Sequence, residues 1–304
     1  MNEQIDTSVK IGGMILKNPV MTASGTFGYG EDYAEYIDVS RLGALVAKGI
    51  RMQPWPGNQL PRHAEVPGGM VNAIGLQGPG ADGFLKDHAK FLKDCGTKVI
   101  VNIWGTSVDE YAEVAGKLSS AEWIHGLEIN VSCPNVKEGG ASFGTDPAKV
   151  AEVVAAVRSR TKLTVITKLA PNVPDIKVFA KAAEDAGSDA LAVSNTLPAM
   201  VIDVETRKPV LANKCGGLSG AGLHPVAVKL VWEAAKAVKI PIIGMGGIFN
   251  PQDAVEFLLA GASAVAVGTA SFIDPRTSIR VIDGIEEYMT RHGMKSVAEI
   301  RMEN

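Results

Sequence analysis

Cysteine is scarce in this chain of 304 residues. Cys95, Cys133 and Cys215 form no CxxC pair and leave an odd count, which argues against a disulfide framework and against a zinc or iron–sulfur site. A reducing, cytoplasmic setting is expected. Aromatic residues are few as well, at 6%, although 46% hydrophobic residues and 33 glycines are compatible with a large apolar core. Positive charge is in no excess. A net charge of -3 gives no broad basic surface for nucleic acid or an anionic membrane, so any phosphate must be bound locally, by loops and helix ends. No apolar run reaches the length of a membrane helix, and the start, MNEQIDTSVKIGG, lacks the basic and apolar regions of a signal peptide. The chain is therefore expected to be neither exported nor membrane-spanning. Also missing is a GxGxxG after the first apolar strand, which weighs against an open, doubly wound dinucleotide fold.

What the sequence does contain is a recurring unit. Val9 to Leu16, with Gly12-Gly13 between two apolar runs, reads as a small hairpin that plugs or covers the main fold. From Pro19 onward a short apolar strand, a polar or glycine-rich loop and an amphipathic helix recur eight times. The strands are Val20 to Ala23, Ala44 to Ala47, Val99 to Ile103, Leu127 to Val131, Thr164 to Leu169, Ala190 to Val193, Ile242 to Met245 and Ala264 to Val267. Most are apolar throughout, as parallel strands buried on both faces must be. Among the helices, Asp146 to Arg160 has Thr145 as a cap and Pro147 in its first turn; Asp175 to Ala186 ends at Gly187, and Asn250-Pro251 opens one that ends near Gly261. With no break in composition, this predicts a single (β/α)8 TIM barrel domain: hairpin 1–18, barrel 19–291 and tail 292–304.

In such a barrel the active site lies at the C-terminal ends of the strands. In order, those ends carry Ser24, Lys48, Asn102, Asn130 with Cys133, Lys168, Asn195 with Thr196, Gly246-Gly247 and Gly268-Thr269. One polar strand end is ordinary, but eight around one rim imply a site. The glycines after the last two strands, with Gly220 in SGAG, fit an anion cradle of backbone N–H groups. Lys48 and Lys168 need an anion, and Glu128 is the only carboxylate near a strand end. A fixed ammonium would stabilise the negative charge of a reduced flavin. Asn72, Asn102, Asn130 and Asn195 suit a planar ligand alternating C=O and N–H groups, a pyrimidine or a flavin, although asparagines also serve as caps. Cys133 is either an inert buried thiol or, beside lysine charges, a base able to take a proton from a carbon next to a carbonyl. The histidines His63, His88, His125, His224 and His292 fall off the strand ends. Three connections exceed plain turns: Gly49 to Gly80; Cys133 to Thr145, glycine-rich like a lid; and Thr196 to Gly222, whose MVIDVETRKPVLAN suits a β-hairpin.

The segments VMTASGTFGYG, LVAKG, PGGMVNAIGLQGPG, INVSCPN, VITKLAPN, SNT, GLSG, GMGGI and VGTA, in this order along nearly the whole chain, resemble the dihydroorotate dehydrogenase family. The resemblance implies a TIM barrel with one FMN per chain that oxidises dihydroorotate to orotate in the biosynthesis of UMP. Carried over residue by residue, it makes Cys133 the base at substrate C5. Lys48, Asn72, Ala73, Ile74, Gly75, Leu76, Asn130, Asn195 and Thr196 would contact substrate. Ser24, Lys48, Gly49, Asn102, Asn130, Lys168, Ser194, Gly220, Gly246, Gly247, Gly268 and Thr269 would hold FMN, with no metal. The cysteine base and NAIGLQ followed by PG are similar to the NAD-linked class 1B type. That type implies a second subunit with FAD and a [2Fe–2S] cluster, in a heterotetramer of two catalytic and two electron-transfer chains. The rivals are the fumarate-linked, homodimeric class 1A type and a flavin-free phosphate-binding barrel. Two positions depart from the NAD-linked pattern: Gly78 stands where asparagine is common, which should loosen a loop over the substrate, and Ser194 where an apolar residue is common.

Overall fold

The computed structural model describes residues 5–131 and 143–302. Eight parallel strands close into a barrel: Val20–Thr22, Ala44–Ile50, Lys98–Ile103, Gly126–Asn130, Thr164–Lys168, Ala190–Val193, Ile242–Met245 and Ala264–Val267. Neighbours in sequence are neighbours in the barrel, and the eighth strand closes on the first through Val265↔Val20, Ala266↔Met21 and Val267↔Thr22. Every expected strand is present within a few residues of its expected bounds. Their apolar character follows from burial on both faces, since alternate side chains point to the barrel axis and to the surrounding helices.

That alternation divides the core in two. Leu45, Ala47, Val99, Val101, Leu127, Ile129, Val165, Leu191 and Val265 face outward and belong to one large cluster with the helices. Met21, Ala44, Val46, Ile100, Ile166, Ala190, Ala192, Ile243 and Ala264 face the axis in a second cluster, together with Ile11, Met14 and Leu16. These last three come from the N-terminal hairpin, Val9–Ile11 paired antiparallel with Met14–Leu16. The hairpin plugs the N-terminal end of the barrel. Ile11 and Leu16 are fully buried, and Gly13 N–H donates to Thr164 Oγ1 at the foot of the fifth strand (3.1 Å). Gly126 makes room for it: a Cβ there would lie 3.3 Å from Met14 Cε and 3.2 Å from the Thr164 carbonyl.

The helices differ from expectation in detail. Asp146, not Thr145, caps Pro147–Arg158, because its carboxylate accepts from Ala148 N–H (2.9 Å). The other two helices begin where expected: Asp175 caps Ile176–Asp185, and Asn250 forms a capping box with Asp253 at the start of Pro251–Leu259. The first strand–helix unit has no α-helix. Its connection holds two short 3-10 turns, Glu31–Tyr33 and Val39–Arg41. The last helix, Thr277–His292, packs against the first strand and against Pro251–Leu259 and fills that place in the outer ring. The tail beyond it is tied back, with Val297 and Ile300 buried and Asp6 bridged to Ser296.

A layer absent from the sequence reading covers the C-terminal rim. Parts of two long connections, 145 residues apart in register at Gly217↔Asn72, form one four-stranded antiparallel sheet in the order Leu197–Met200, Cys215–Ser219, Gly69–Asn72, His63–Val66. The expected hairpin in the third connection is present as the pair Ile202–Asp203 and Lys208–Pro209.

Candidate active site

Climbing the barrel axis, the inward side chains change from apolar to polar within two residues on several strands. Val46 is followed by Lys48, Ile100 by Asn102, Ile166 by Lys168 and Ala192 by Ser194. These polar groups line a cavity of about 430 Å³ between the rim and the covering sheet. The cavity brings together Ser24, Lys48, Gly49, Asn72, Ile74, Gly75, Leu76, Asn102, Asn130, Lys168, Ser194, Asn195, Thr196, Gly220, Gly246, Gly247, Gly268 and Thr269. Ala73 is not among its lining residues. Its methyl packs away from the cavity with Val71 and Leu211 under the covering sheet, because successive residues of an extended segment face opposite sides. Cys133 and most of the expected lid, Gly139 and Gly140 included, lie outside the described residues; the end of that connection, Phe143–Thr145, is a 3-10 turn with Gly144 buried.

Register explains the contacts at the floor. Asn102 stands opposite Glu128, and Asn130 opposite Lys168, on adjacent strands. Asn102 Nδ2 donates to Glu128 Oε1 (2.6 Å). Lys168 Nζ lies 3.6 Å from the same oxygen and donates to Ser24 Oγ (3.1 Å). The charge of Lys168 thus has a buried counter-ion, which the strand order alone left open. Asn195 Nδ2 donates to Asn130 Oδ1 (3.0 Å), and Tyr111 donates its hydroxyl to the Asn130 carbonyl (2.7 Å). The asparagines at the rim are therefore held by cross-strand partners.

Lys48 is different. No carboxylate of the described residues pairs with it, and burial, with the Arg62 charge nearby, lowers its pKa below the ordinary 10.5. A half-buried cation of this kind calls for an anionic ligand.

Two observations test whether a flavin mononucleotide fits. Asn102 is 1% exposed and its Oδ1 has no partner among the described residues, so this wall can accept a hydrogen bond from a ring N–H or hydroxyl. After the seventh strand, Gly247 has φ +69°, and a Cβ there would come within 2.9 Å of both the Gly220 carbonyl and His224 N. Only glycine allows the backbone to form this cradle, the arrangement in which a phosphate meets main-chain N–H groups. The residues fit both ends of the cofactor: polar ring and phosphate.

Several lining residues escaped the sequence reading. His63 reaches the cavity from the covering sheet, with Met70 and Ser219, and Phe272 closes the side after the eighth strand. No strand-end rule marks them, because their sheet forms only when distant loops pair. Gly78 also differs from expectation. Two backbone hydrogen bonds to Trp55, of 2.9 and 3.0 Å, fix it, so the missing side chain does not free this loop. Ser194 is buried, lines the cavity and donates to the Asn195 carbonyl (3.2 Å). Cys95 is buried beside Leu92, and Cys215 is exposed; neither lines the cavity. No helix among the described residues is long and apolar enough to cross a membrane.

A closed parallel barrel with one amide-rich cavity at its C-terminal rim and glycines after strands seven and eight defines a small-molecule enzyme of the TIM-barrel class. The chain belongs to the dihydroorotate dehydrogenase family, which it matches over residues 7–289. It is 52% identical over 295 residues to the dihydroorotate dehydrogenase B (NAD(+)) catalytic subunit of Geobacter sp. (strain M21), covering 97% of each chain. It is similarly 53% identical over 298 residues to the subunit of the same name from Alkaliphilus metalliredigens, covering 98% of each. The fold is also that of a crystal structure of DHODH from Eimeria tenella in complex with ferulenol. That likeness has a TM-score of 0.81 at 23% identity and covers 98% of this chain and 88% of the other.

Proposed function

We propose that this chain is the catalytic subunit of an NAD-linked dihydroorotate dehydrogenase, oxidising dihydroorotate to orotate in pyrimidine biosynthesis. The carrying observation is a cavity that joins Lys48, without a carboxylate partner among the described residues, to the ring of amides Asn72, Asn102, Asn130 and Asn195. Dihydroorotate is a planar-edged carboxylate with alternating C=O and N–H groups, and this set of donors and acceptors complements it. Lys48 meets the substrate carboxylate. Asn72, Asn130, Asn195 and Thr196 fix the ring, and the Ile74, Gly75 and Leu76 segment closes one side of it.

Ser24, Gly49, Asn102, Lys168 and Ser194 hold the flavin ring of FMN, while Gly220, Gly246, Gly247, Gly268 and Thr269 hold its phosphate arm. FMN, when bound, supplies the acceptor for the hydride that leaves substrate C6. Cys133 takes the proton from C5 as a thiolate, and the covering sheet keeps bulk water from the reacting carbons. The relatives' names carry both NAD(+) and the words catalytic subunit, which supports a partner chain in a two-plus-two heterotetramer. Three dispersed cysteines are too few for the four-thiolate ligand set of a [2Fe–2S] cluster. The cluster and FAD are assigned to that partner.

The test is to reconstitute the purified chain with FMN and add dihydroorotate without oxygen. Bleaching of the flavin absorbance, with orotate formed in equal amount, is expected. A chain that takes up no FMN, or whose flavin stays oxidised, overturns the reading. Turnover of the isolated chain with fumarate would overturn the NAD-linked part alone.

A further inference from the structure

We propose that Glu128 is a positioning residue for the flavin, acting through Asn102. The inference rests on the FMN reading above. Glu128 is 2% exposed and lies on the axis-facing side of the fourth strand. The substrate and cofactor roles derived above do not use it, and it is not among the residues lining the cavity. A carboxylate buried this deeply is costly unless it is paired and hydrogen-bonded. Lys168 provides the ion pair, at 3.6 Å, and Asn102 the hydrogen bond, at 2.6 Å.

The consequence follows from donor and acceptor chemistry. As the carboxylate of an ion pair, Glu128 can only accept, so the amide of Asn102 must turn its NH2 toward it. The carbonyl Oδ1 is then forced to the opposite side. There it is buried and, among the described residues, without a partner. Gly49 stands close to it, a Cβ at that position coming within 2.9 Å of Oδ1, so backbone replaces side chain beside the acceptor. A neutral amide in place of Glu128 would leave Asn102 free to turn either way. Glu128 therefore sets the polarity of this wall as acceptor, matched to an N–H or O–H of the cofactor, and it also balances the positive charge that Lys168 presents beside the ring.

Glu128→Gln keeps the shape and removes both effects. Oxidised FMN should bind about tenfold more weakly, the cost of one misaligned buried hydrogen bond. Reduced, anionic FMN loses the same bond but gains an unbalanced Lys168, so its affinity should stay near that of the wild type. The ratio of about tenfold equals a rise of about 30 mV in the two-electron midpoint potential. Equal weakening of both forms, which leaves the potential unmoved, or no weakening at all, overturns the proposal. Asn102→Ala provides a second arm. In that background Glu128→Gln should change the affinity for oxidised FMN by less than about threefold, because coupled residues are not additive. A further full loss means that Glu128 acts elsewhere and overturns the proposal. If Asn102→Ala alone binds oxidised FMN like the wild type, the carbonyl accepts nothing from the cofactor and the proposal fails however Glu128→Gln folds. A wild-type chain that takes up no FMN defeats the functional reading, and this role with it. Normal uptake by the wild type with an unaltered Glu128→Gln variant defeats the positioning role alone.

Discussion

The two ends of the barrel use the same strands for opposite purposes. At the N-terminal end the axis is filled by Ile11, Met14 and Leu16 of the hairpin against Ala44, Ile100, Ile166 and Ala190, all closely packed and apolar. At the C-terminal end, two to four residues further along the barrel strands, the axis carries Lys48, Asn102, Asn130 and Lys168, with one acceptor unpaired and one cation without a carboxylate among the described residues. Among the described residues the plug buries no side-chain polar atom without a partner, and the other end has left groups for a ligand to satisfy. A protein that invests its apolar burial at one end can hold polar groups in a low-dielectric rim at the other without unfolding. Substitutions at the plug should therefore change stability and leave binding intact, while substitutions at the rim should do the reverse.

The largest expected effect is on the chemistry. Cys133→Ser should slow flavin reduction by dihydroorotate about 10²- to 10⁴-fold at neutral pH, since a hydroxyl is a far weaker base than a thiolate. The melting temperature and FMN affinity should hold. Stopped-flow reduction at unchanged speed would remove Cys133 from the mechanism. At the N-terminal end, Leu16→Ala opens the plug and should cost about 2–5 kcal/mol of folding stability. Its folded fraction, measured in denaturant titrations alongside FMN binding, should retain wild-type affinity; a loss of affinity would mean that the two ends are coupled.

Gly247→Ala separates the ends more finely. The left-handed backbone at φ +69° and the Cβ contacts at 2.9 Å should cost about 1–3 kcal/mol. The fluorescence of free FMN, quenched on binding, should reveal the loss chiefly as weaker cofactor retention. Should FMN bind as before while the chain melts earlier, the glycine serves packing rather than the phosphate.

These two ends were not equally legible in the sequence. The barrel strands could be read because each is a short apolar run bounded by polar residues, and their C-terminal residues could be assigned to one rim once eight were counted. The hairpin was readable too, although its target, the barrel axis, follows only from the closed fold. What escaped depends on pairing between distant segments. His63–Val66 and Gly69–Asn72 show no strong apolar alternation, and their partner lies at Cys215–Ser219, so neither the covering sheet nor the place of His63 in the cavity could be inferred locally. The Lys168–Glu128 pair needed the register of two strands and the length of two side chains. Thr145 and Asp146 are both good caps, and only backbone geometry chooses between them.

Lys48 gives the smallest effect and the clearest sign. Burial and the Arg62 charge lower its pKa from the ordinary 10.5, so the folded chain holds this proton less tightly than the unfolded chain does. The charged lysine therefore costs stability in full below its folded pKa, and the cost fades as pH rises through that value toward 10.5. Lys48→Met should raise the melting temperature of the ligand-free chain at neutral pH, with an advantage that narrows as the solution is made alkaline. The same variant should lose at least about tenfold in orotate affinity, because a charge-assisted hydrogen bond to the carboxylate goes with the ammonium. Stability gained and affinity lost by one substitution would identify Lys48 as a group that the fold tolerates for its ligand. A variant less stable at neutral pH would instead place Lys48 with the satisfied residues of the plug, and the division between the ends would have to be redrawn.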